Sequence, residues 1–134
     1  MEPYIHDGDS VVLKQSDTPV RGEIIFFKPP ETWTNDREIL FVKRIVATPG
    51  DVFSFDGKRF TINGESEYDL PDDMDCSRAP QHYSKTLKRN EVVAFGDNAS
   101  NSIDSRWAFC QGKINDFTVT KKASVDYGKI IMKW

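Results

Sequence analysis

Phe41-Val42-Lys43-Arg44-Ile45-Val46-Ala47, then Thr48-Pro49-Gly50-Asp51, then Val52-Phe53-Ser54-Phe55, Asp56-Gly57 and Arg59-Phe60-Thr61-Ile62-Asn63-Gly64, is the stretch that decides the fold. Short β-branched and aromatic runs alternate with Gly, Pro, Asn and Asp, which reads as strands separated by tight turns. Asp56-Gly57 and Asn63-Gly64 are hairpin signals, because both central turn residues must tolerate a left-handed backbone. Working outward, Ser10–Leu13 follows Asp7-Gly8-Asp9. Glu23–Phe27 follows Arg21-Gly22 and stops at Pro29-Pro30, and the long run Glu38–Ala47 ends at the Thr-Pro-Gly-Asp turn. Glu91–Phe95, Phe117–Thr120 and Lys129–Met132 continue the pattern to the end. No helical period is sustained over three turns, and Asn101–Gln111 has room for one short helical turn. The expected fold is mainly β: antiparallel sheets in a barrel-like core, with a polar excursion over 66–90 read as an extended surface loop or hairpin. Residues 1–134 read as a single domain.

Composition narrows the function. The chain has 134 residues and a net charge of −3, enough for a real core and too balanced for the basic face that non-specific nucleic-acid binding needs. With 29% charged and 12% aromatic residues it is too apolar to be disordered. No purely apolar stretch is longer than that of Ile24–Phe27, far short of the roughly 18 residues of a membrane helix, and Met1-Glu2-Pro3 does not open a signal peptide. His6 and His82 lie in no metal-ligand spacing, so no metal site is expected. Cys76 and Cys110 are compatible with one disulfide or with two free thiols.

Two stretches stand out chemically. Lys43 and Arg44 are neighbours in an apolar strand, so they point to opposite faces and one cation faces whatever the sheet packs on. The bland reading is a lysine or arginine snorkelling at a sheet edge. The sharper one is a buried lysine whose amine is neutral near pH 7 and serves a Ser nucleophile as general base. The second stretch is Gly96-Asp97-Asn98-Ala99-Ser100-Asn101-Ser102-Ile103-Asp104-Ser105-Arg106. So many side chains that bond their own backbone imply an organised turn, in which Asp104 and Arg106 can pair.

Several boxes, in order and rough spacing, resemble type I signal peptidases (leader peptidases): Met1-Glu2-Pro3, Gly8-Asp9-Ser10-Val11-Val12, Gly22-Glu23-Ile24-Ile25-Phe26, Val42–Val46 with Pro49-Gly50-Asp51, Ile62-Asn63-Gly64, and Gly96-Asp97-Asn98 with Asn101-Ser102 and Asp104-Ser105-Arg106. The Phe27-Lys28-Pro29-Pro30 stretch and the Phe41–Ala47 strand look most like cyanobacterial and plastid members. The resemblance implies a Ser–Lys serine endopeptidase that removes signal peptides from exported proteins on the extracytoplasmic face of a plasma or thylakoid membrane, without a metal or other cofactor. Lys43 falls on the family's general base and Ser102 on the serine that orients it. Asp104 and Arg106 fall on a structural ion pair, and Asp97 and Asn98 on a supporting turn. Phe41 and Val42 fall on the strand that pairs with the extended substrate, and Met1, Pro3, Ile5 and Val11 on or beside the apolar lining of pockets that take small side chains. The implied partners are signal peptides of preproteins and, through an anchor, the membrane; nucleic acid is not among them.

The departures from the family pattern matter as much. The family's nucleophilic Ser stands immediately before the Met of Met-x-Pro, and here Met1 is the first residue given. Its backbone N–H also belongs to the oxyanion hole, one donor of which is typically worth roughly 10²–10³ in rate. Ser10 and Ser16 do not occupy the motif position. Ala99 stands where an Arg commonly follows Gly-Asp-Asn, and Glu23 where an Asp is common. The expectation is therefore a peptidase ectodomain trimmed at Met1, inert as given but with an active parent. The alternative is a non-catalytic relative that holds extended peptides or partner proteins at a membrane surface. Retention of Lys43 and Ser102 favours the first, since burying a lysine without use is costly. A self-cleaving repressor-type Ser–Lys protein is a more distant third class, and no DNA-binding segment supports it.

Overall fold

The structure, a computed structural model, describes residues 11–14, 18–35, 39–120 and 127–133, and of 11–14, 101 and 127–133 the backbone alone. These form β1 (Val11–Lys14), β2 (Ile24–Phe27), β3 (Phe41–Ala47), β4 (Val52–Phe55), β5 (Arg59–Ile62), β6 (Ser66–Asp69), β7 (Tyr83–Thr86), β8 (Glu91–Phe95), the helix α1 (Ser105–Cys110), β9 (Val119–Thr120) and β10 (Tyr127–Lys133). All strand pairs are antiparallel. One sheet runs β1-β10-β2-β3-β8-β9 and the other β6-β5-β4-β7. Among the described residues neither sheet closes into a barrel, so the barrel-like expectation becomes two open ladders.

β2 is apolar at every position because it sits between β10 and β3 with both faces buried. β4 and β5 alternate instead, sending Phe53, Phe55, Phe60 and Ile62 inward. Phe53 meets Phe117 at 5.1 Å, Phe60 meets Phe109 of α1 at 5.7 Å, and Phe60 meets Phe95 of β8 at 5.8 Å between ring centroids. This aromatic cluster joins the second sheet to the helix and to the first sheet.

The turns follow their residues. Asn63 and Gly64 both take positive φ, at 55° and 69°. The Pro-Gly-Asp and Ile-Asn-Gly boxes, 12 residues apart at Asp51 and Asn63, bond directly: Asn63 Nδ2 donates to Asp51 Oδ1 at 3.0 Å, and Val52 N donates to Asn63 Oδ1 at 2.8 Å. Asp51 also accepts from Arg21 Nε at 3.1 Å and from Thr48 N at 2.8 Å. The Arg21 guanidinium in particular holds its carboxyl well below the usual carboxylate range.

The 66–90 segment corrects the sequence reading. Its two ends are the outer strands β6 and β7 of the second sheet, and only the stretch between them, with the short link to β8, is loop. Each outer strand packs one half-buried aromatic side chain on the core, Tyr68 against Phe95 at 5.3 Å and Tyr83 against Phe109 at 5.2 Å between ring centroids. The positions beside them are polar and exposed, so the apolar alternation that marks a strand is only one residue deep. Cys76 in the connecting loop forms a disulfide with Cys110 at the end of α1, across 34 residues. Replacing both cysteines by Ala is expected to cost roughly 3–4 kcal/mol, the loop-closure value for this separation, read as a lower urea midpoint. An unchanged midpoint would show that the bond adds nothing to an already ordered loop.

Candidate active site

Strand alternation decides which cation does what. Lys43 shares a strand face with Phe41 and Ile45 and sits opposite Ile25 of β2, while Arg44 points to the other face. β2 covers one edge of β3 along Phe41–Arg44, but β8 covers the other edge only from Arg44 onward. Among the described residues the second edge of Phe41–Lys43 therefore has no strand partner. Beyond Phe95 the chain turns away through Gly96, makes a 3₁₀ turn at Ala99–Asn101, and returns so that Ser102 meets Lys43.

Lys43 Nζ donates to Ser102 Oγ at 3.0 Å, and Ser102 Oγ donates to Asp104 Oδ2 at 2.7 Å. The same carboxylate oxygen accepts from Gly96 N at 2.8 Å and from Arg106 Nη2 at 2.9 Å. Its partner oxygen, Oδ1, accepts from Trp107 N at 3.0 Å and so caps α1. Asp104 is fully buried and Arg106 is 4% exposed, with its guanidinium 4.5 Å from the Phe95 ring centroid. Burial pushes the Lys43 amine below the ordinary lysine value and Arg106 pushes the same way, whereas Asp104 opposes them. Desolvation is the largest of the three, so the balance shifts toward the neutral amine. Because the Ser102 proton is committed to Asp104, Ser102 acts toward Lys43 as an acceptor and leaves the lone pair of a neutral amine unclaimed.

On the reverse face Arg44 forks onto Asp97, with Nε and Nη2 at 2.9 and 2.8 Å from its two carboxylate oxygens, and Nη1 donates to Gly22 O at 2.9 Å. The structure thus brings Lys43, Ser102, Asp104 and Arg106 into one chain of hydrogen bonds. Asp97 is set instead behind the strand, and Asn98 heads the 3₁₀ turn without a side-chain cap. Phe41 and Val42 lie on the open edge, both half-buried, and the Phe41 ring centroid is 5.4 Å from Lys43 Nζ. Met1, Pro3 and Ile5 lie outside the described residues. The Val11 backbone pairs with Lys133 in β10.

Two contributors escaped the sequence reading. Ser105 Oγ accepts from Ala94 N at 3.1 Å, tying α1 to β8. Gly96 is the other: a Cβ there would lie 2.8 Å from Ser102 Cβ, overlap Ser102 Oγ, and stand 3.4 Å from Lys43 Nζ. The signal available was a glycine opening the polar run, which marks either a turn or a close approach. Among the described residues no three His, Cys, Asp or Glu side chains gather as a metal-binding group, and no helix is long and apolar enough to cross a membrane.

The profile of the family described as "Signal peptidase, peptidase S26" matches residues 1–128. The chain belongs to the signal peptidase S26 family. It is 28% identical over 120 residues to a signal peptidase I of Leptolyngbya laminosa, covering 81% of this chain and 57% of that protein. It is 27% identical over 117 residues to a probable signal peptidase I-2 of Synechocystis sp., covering 81% and 52%. A signal peptidase I of Pseudomonas fluorescens is 28% identical over 126 residues, covering 74% and 43%. The chain spans about half the length of these curated relatives. A crystal structure of a signal peptidase I from Enterococcus faecalis V583 has the same fold, with a TM-score of 0.51 at 18% identity, covering 87% of this chain and 98% of that one. The family resemblance and the mainly β class of the sequence reading therefore stand.

Gly96 supplies this family member with a sharp test of packing. Gly96→Ala is expected to cost about 1–3 kcal/mol, the usual range for overpacking, and to push Ser102 off Lys43. Urea unfolding reads the first effect. The second appears as a displaced Lys43 Nζ and Cε chemical shift in side-chain NMR. Wild-type behaviour on both counts would show that Ser102 yields freely.

Proposed function

We propose that this chain is the lysine-bearing body of a Ser–Lys endopeptidase that removes signal peptides from exported proteins at the extracytoplasmic face of a membrane. The observation that carries the reading is Lys43, held by Ser102 and the buried Asp104–Arg106 pair beside an open strand edge. Membership of the signal peptidase family supports the substrate class. An extended peptide adds to the Phe41–Lys43 edge as a further strand, a mode in which main-chain hydrogen bonds fix the register. That places its scissile carbonyl near Lys43. A serine at the position that precedes Met1 is the nucleophile in this proposal. Neutral Lys43 takes the hydroxyl proton as the oxygen attacks the carbonyl, then hands it to the departing amine as the peptide bond breaks. A water deprotonated by Lys43 next attacks the ester, releasing the acid and restoring the serine.

The test uses a membrane-anchored protein with Ser directly before Met1. Lys43→Ala is expected to lower cleavage of a preprotein by about 10²–10⁴-fold or more, the span attributed to general bases, with the fold retained. Ser102→Ala is expected to lower it less, because the lysine keeps its place but loses its orientation. Near-normal cleavage by Lys43→Ala sinks the assignment. Retained peptide binding with no serine-dependent cleavage in the unmutated protein favours the binding-only alternative.

The lysine also predicts two pH dependences. Cleavage requires the neutral amine, so kcat/KM is expected to rise with pH and level off above the folded Lys43 pKa, which lies below the ordinary lysine value. For stability the sign is the same. Between the folded and unfolded pKa values the unfolded chain binds the extra proton, so stability climbs with pH in that window, and the burden of burying Lys43 is fully present below it. Lys43→Met is therefore expected to unfold at an equal or higher denaturant concentration at pH 7, and a clear loss of stability would contradict a strained, desolvated amine.

A further inference from the structure

Three aromatic rings gather at the start of the strand that carries Lys43. Phe27 ends β2, Phe41 begins β3, and Trp33 closes the turn between them, its N–H donating to Pro30 O at 2.9 Å. The ring centroids lie 6.1 Å apart for Phe27 and Trp33, 6.2 Å for Phe27 and Phe41, and 6.2 Å for Trp33 and Phe41. Trp33 is 3% exposed, and its Nε1 donates to the Asp116 carbonyl at 2.7 Å. A buried indole N–H needs such an acceptor, and the bond fixes the plane of the ring. Asp116 is itself held: its N–H donates to Lys113 O at 3.1 Å, and its neighbour Phe117 is fully buried, 5.3 Å from Phe109 of α1 between ring centroids. Trp33 is thus tied to the chain that leaves α1.

The third ring reaches the site. Phe41 and Lys43 share a face of β3, and the Phe41 ring centroid lies 5.4 Å from Lys43 Nζ. Phe41 is only half-buried, so Phe27 and Trp33 behind it decide where its ring stands. Among the described residues, the charged groups that act on the amine are Asp104 and Arg106, from the start of α1. The neighbouring strand β2 offers Ile25 and Phe27, which are apolar. An aromatic ring acts on a lysine in two opposed ways: its face attracts the ammonium, and its bulk excludes water. Desolvation is the largest influence on Lys43, so the exclusion of water prevails.

We propose that Trp33 is a positioning residue of the site: pinned to Asp116, it holds the Phe41 ring against the Lys43 amine and keeps water from that side. Lys43 is then set from both ends of α1, through Asp104 and Ser102 at its start and through Asp116, Trp33 and Phe41 beyond its end. The bearing of this cover on catalysis rests on the peptidase reading above; the cover itself does not.

The test is a pH titration of the Lys43 Nζ and Cε signals by side-chain NMR in the chain as it stands, which needs no cleavage. In Trp33→Leu the amine is expected to titrate nearer the ordinary lysine value, enough to lower its neutral fraction about threefold at a pH below the midpoint. Phe41→Leu is expected to do the same. Trp33→Phe, which keeps a ring but has no N–H for Asp116, is expected to fall between these variants and the unmutated chain. Ile62→Ala, a truncation in the core of the second sheet, controls for lost stability and is expected to leave the titration unmoved. If Trp33→Leu fails to fold, Phe41→Leu and Trp33→Phe carry the test. An unmoved titration in the Trp33 and Phe41 variants would overturn the proposal. So would an equal rise in Ile62→Ala, or a fall in Phe41→Leu, which would make the ring a partner of the ammonium. In the anchored, serine-bearing protein, the rising limb of kcat/KM is expected to move to higher pH in Trp33→Leu. A moved titration with an unmoved limb would leave this cover standing and count against Lys43 as the general base.

Discussion

Asp104 is the point through which the polar half of this molecule is held together. One buried carboxylate accepts from the Gly96 backbone, the Ser102 hydroxyl, the Arg106 guanidinium and the Trp107 backbone. The first contact fixes the exit of β8, the second aims the neighbour of Lys43, the third neutralises a buried cation, and the fourth starts α1. A buried carboxylate is tolerable only when its lone pairs are answered in this way. Conversely, each of the four groups depends on the same anion, so the turn, the helix start and the lysine environment form as a unit. Cys110, at the far end of the same short helix, is tied to the loop of the second sheet, which links that unit to the rest of the fold.

The legibility of the fold follows from how much apolar surface each segment buries. β2, β3, β4, β5 and β8 are visible because they are buried on one or both faces and flanked by turn residues with a mechanical job, such as Asn63 and Gly64 at positive φ. β6 and β7 are hidden because each contributes one aromatic to the core and otherwise faces water. Their strand character comes from pairing with β5 and β4, a tertiary effect that local pattern does not carry. The disulfide is of the same kind: two cysteines in a sequence allow a bond, and only the docking of the 70–82 loop on α1 brings them together.

For the site, the alternation rule already separates Lys43 from Arg44, and the i, i+2 spacing already allows Asp104 to meet Arg106. What the sequence could not show is distance. Gly96 reads as a turn residue, yet its role is to let Ser102 and Lys43 close over a backbone that carries no Cβ. Arg44 reads as the spare cation, yet its fork onto Asp97 binds the exit of β8 to the back of β3 and so helps set where Ser102 returns. Met1, Pro3 and Ile5 are legible only through the family resemblance.

The spacing of charges around Lys43 has a physical logic. A carboxylate in direct contact with a lysine amine would favour the ammonium and hold the proton there. Here the hydroxyl of Ser102 stands between them: it accepts from the amine, donates its own hydrogen bond to Asp104, and keeps the full negative charge one hydrogen bond away. Arg106 then spends part of that charge in its own ion pair. The lysine is thus positioned by a group that contributes no net charge, while the anion needed to orient that group is neutralised from behind. With desolvation left as the largest influence, the amine can be both firmly held and shifted toward its unprotonated form, two requirements that a simple Lys–Asp pair would set against each other.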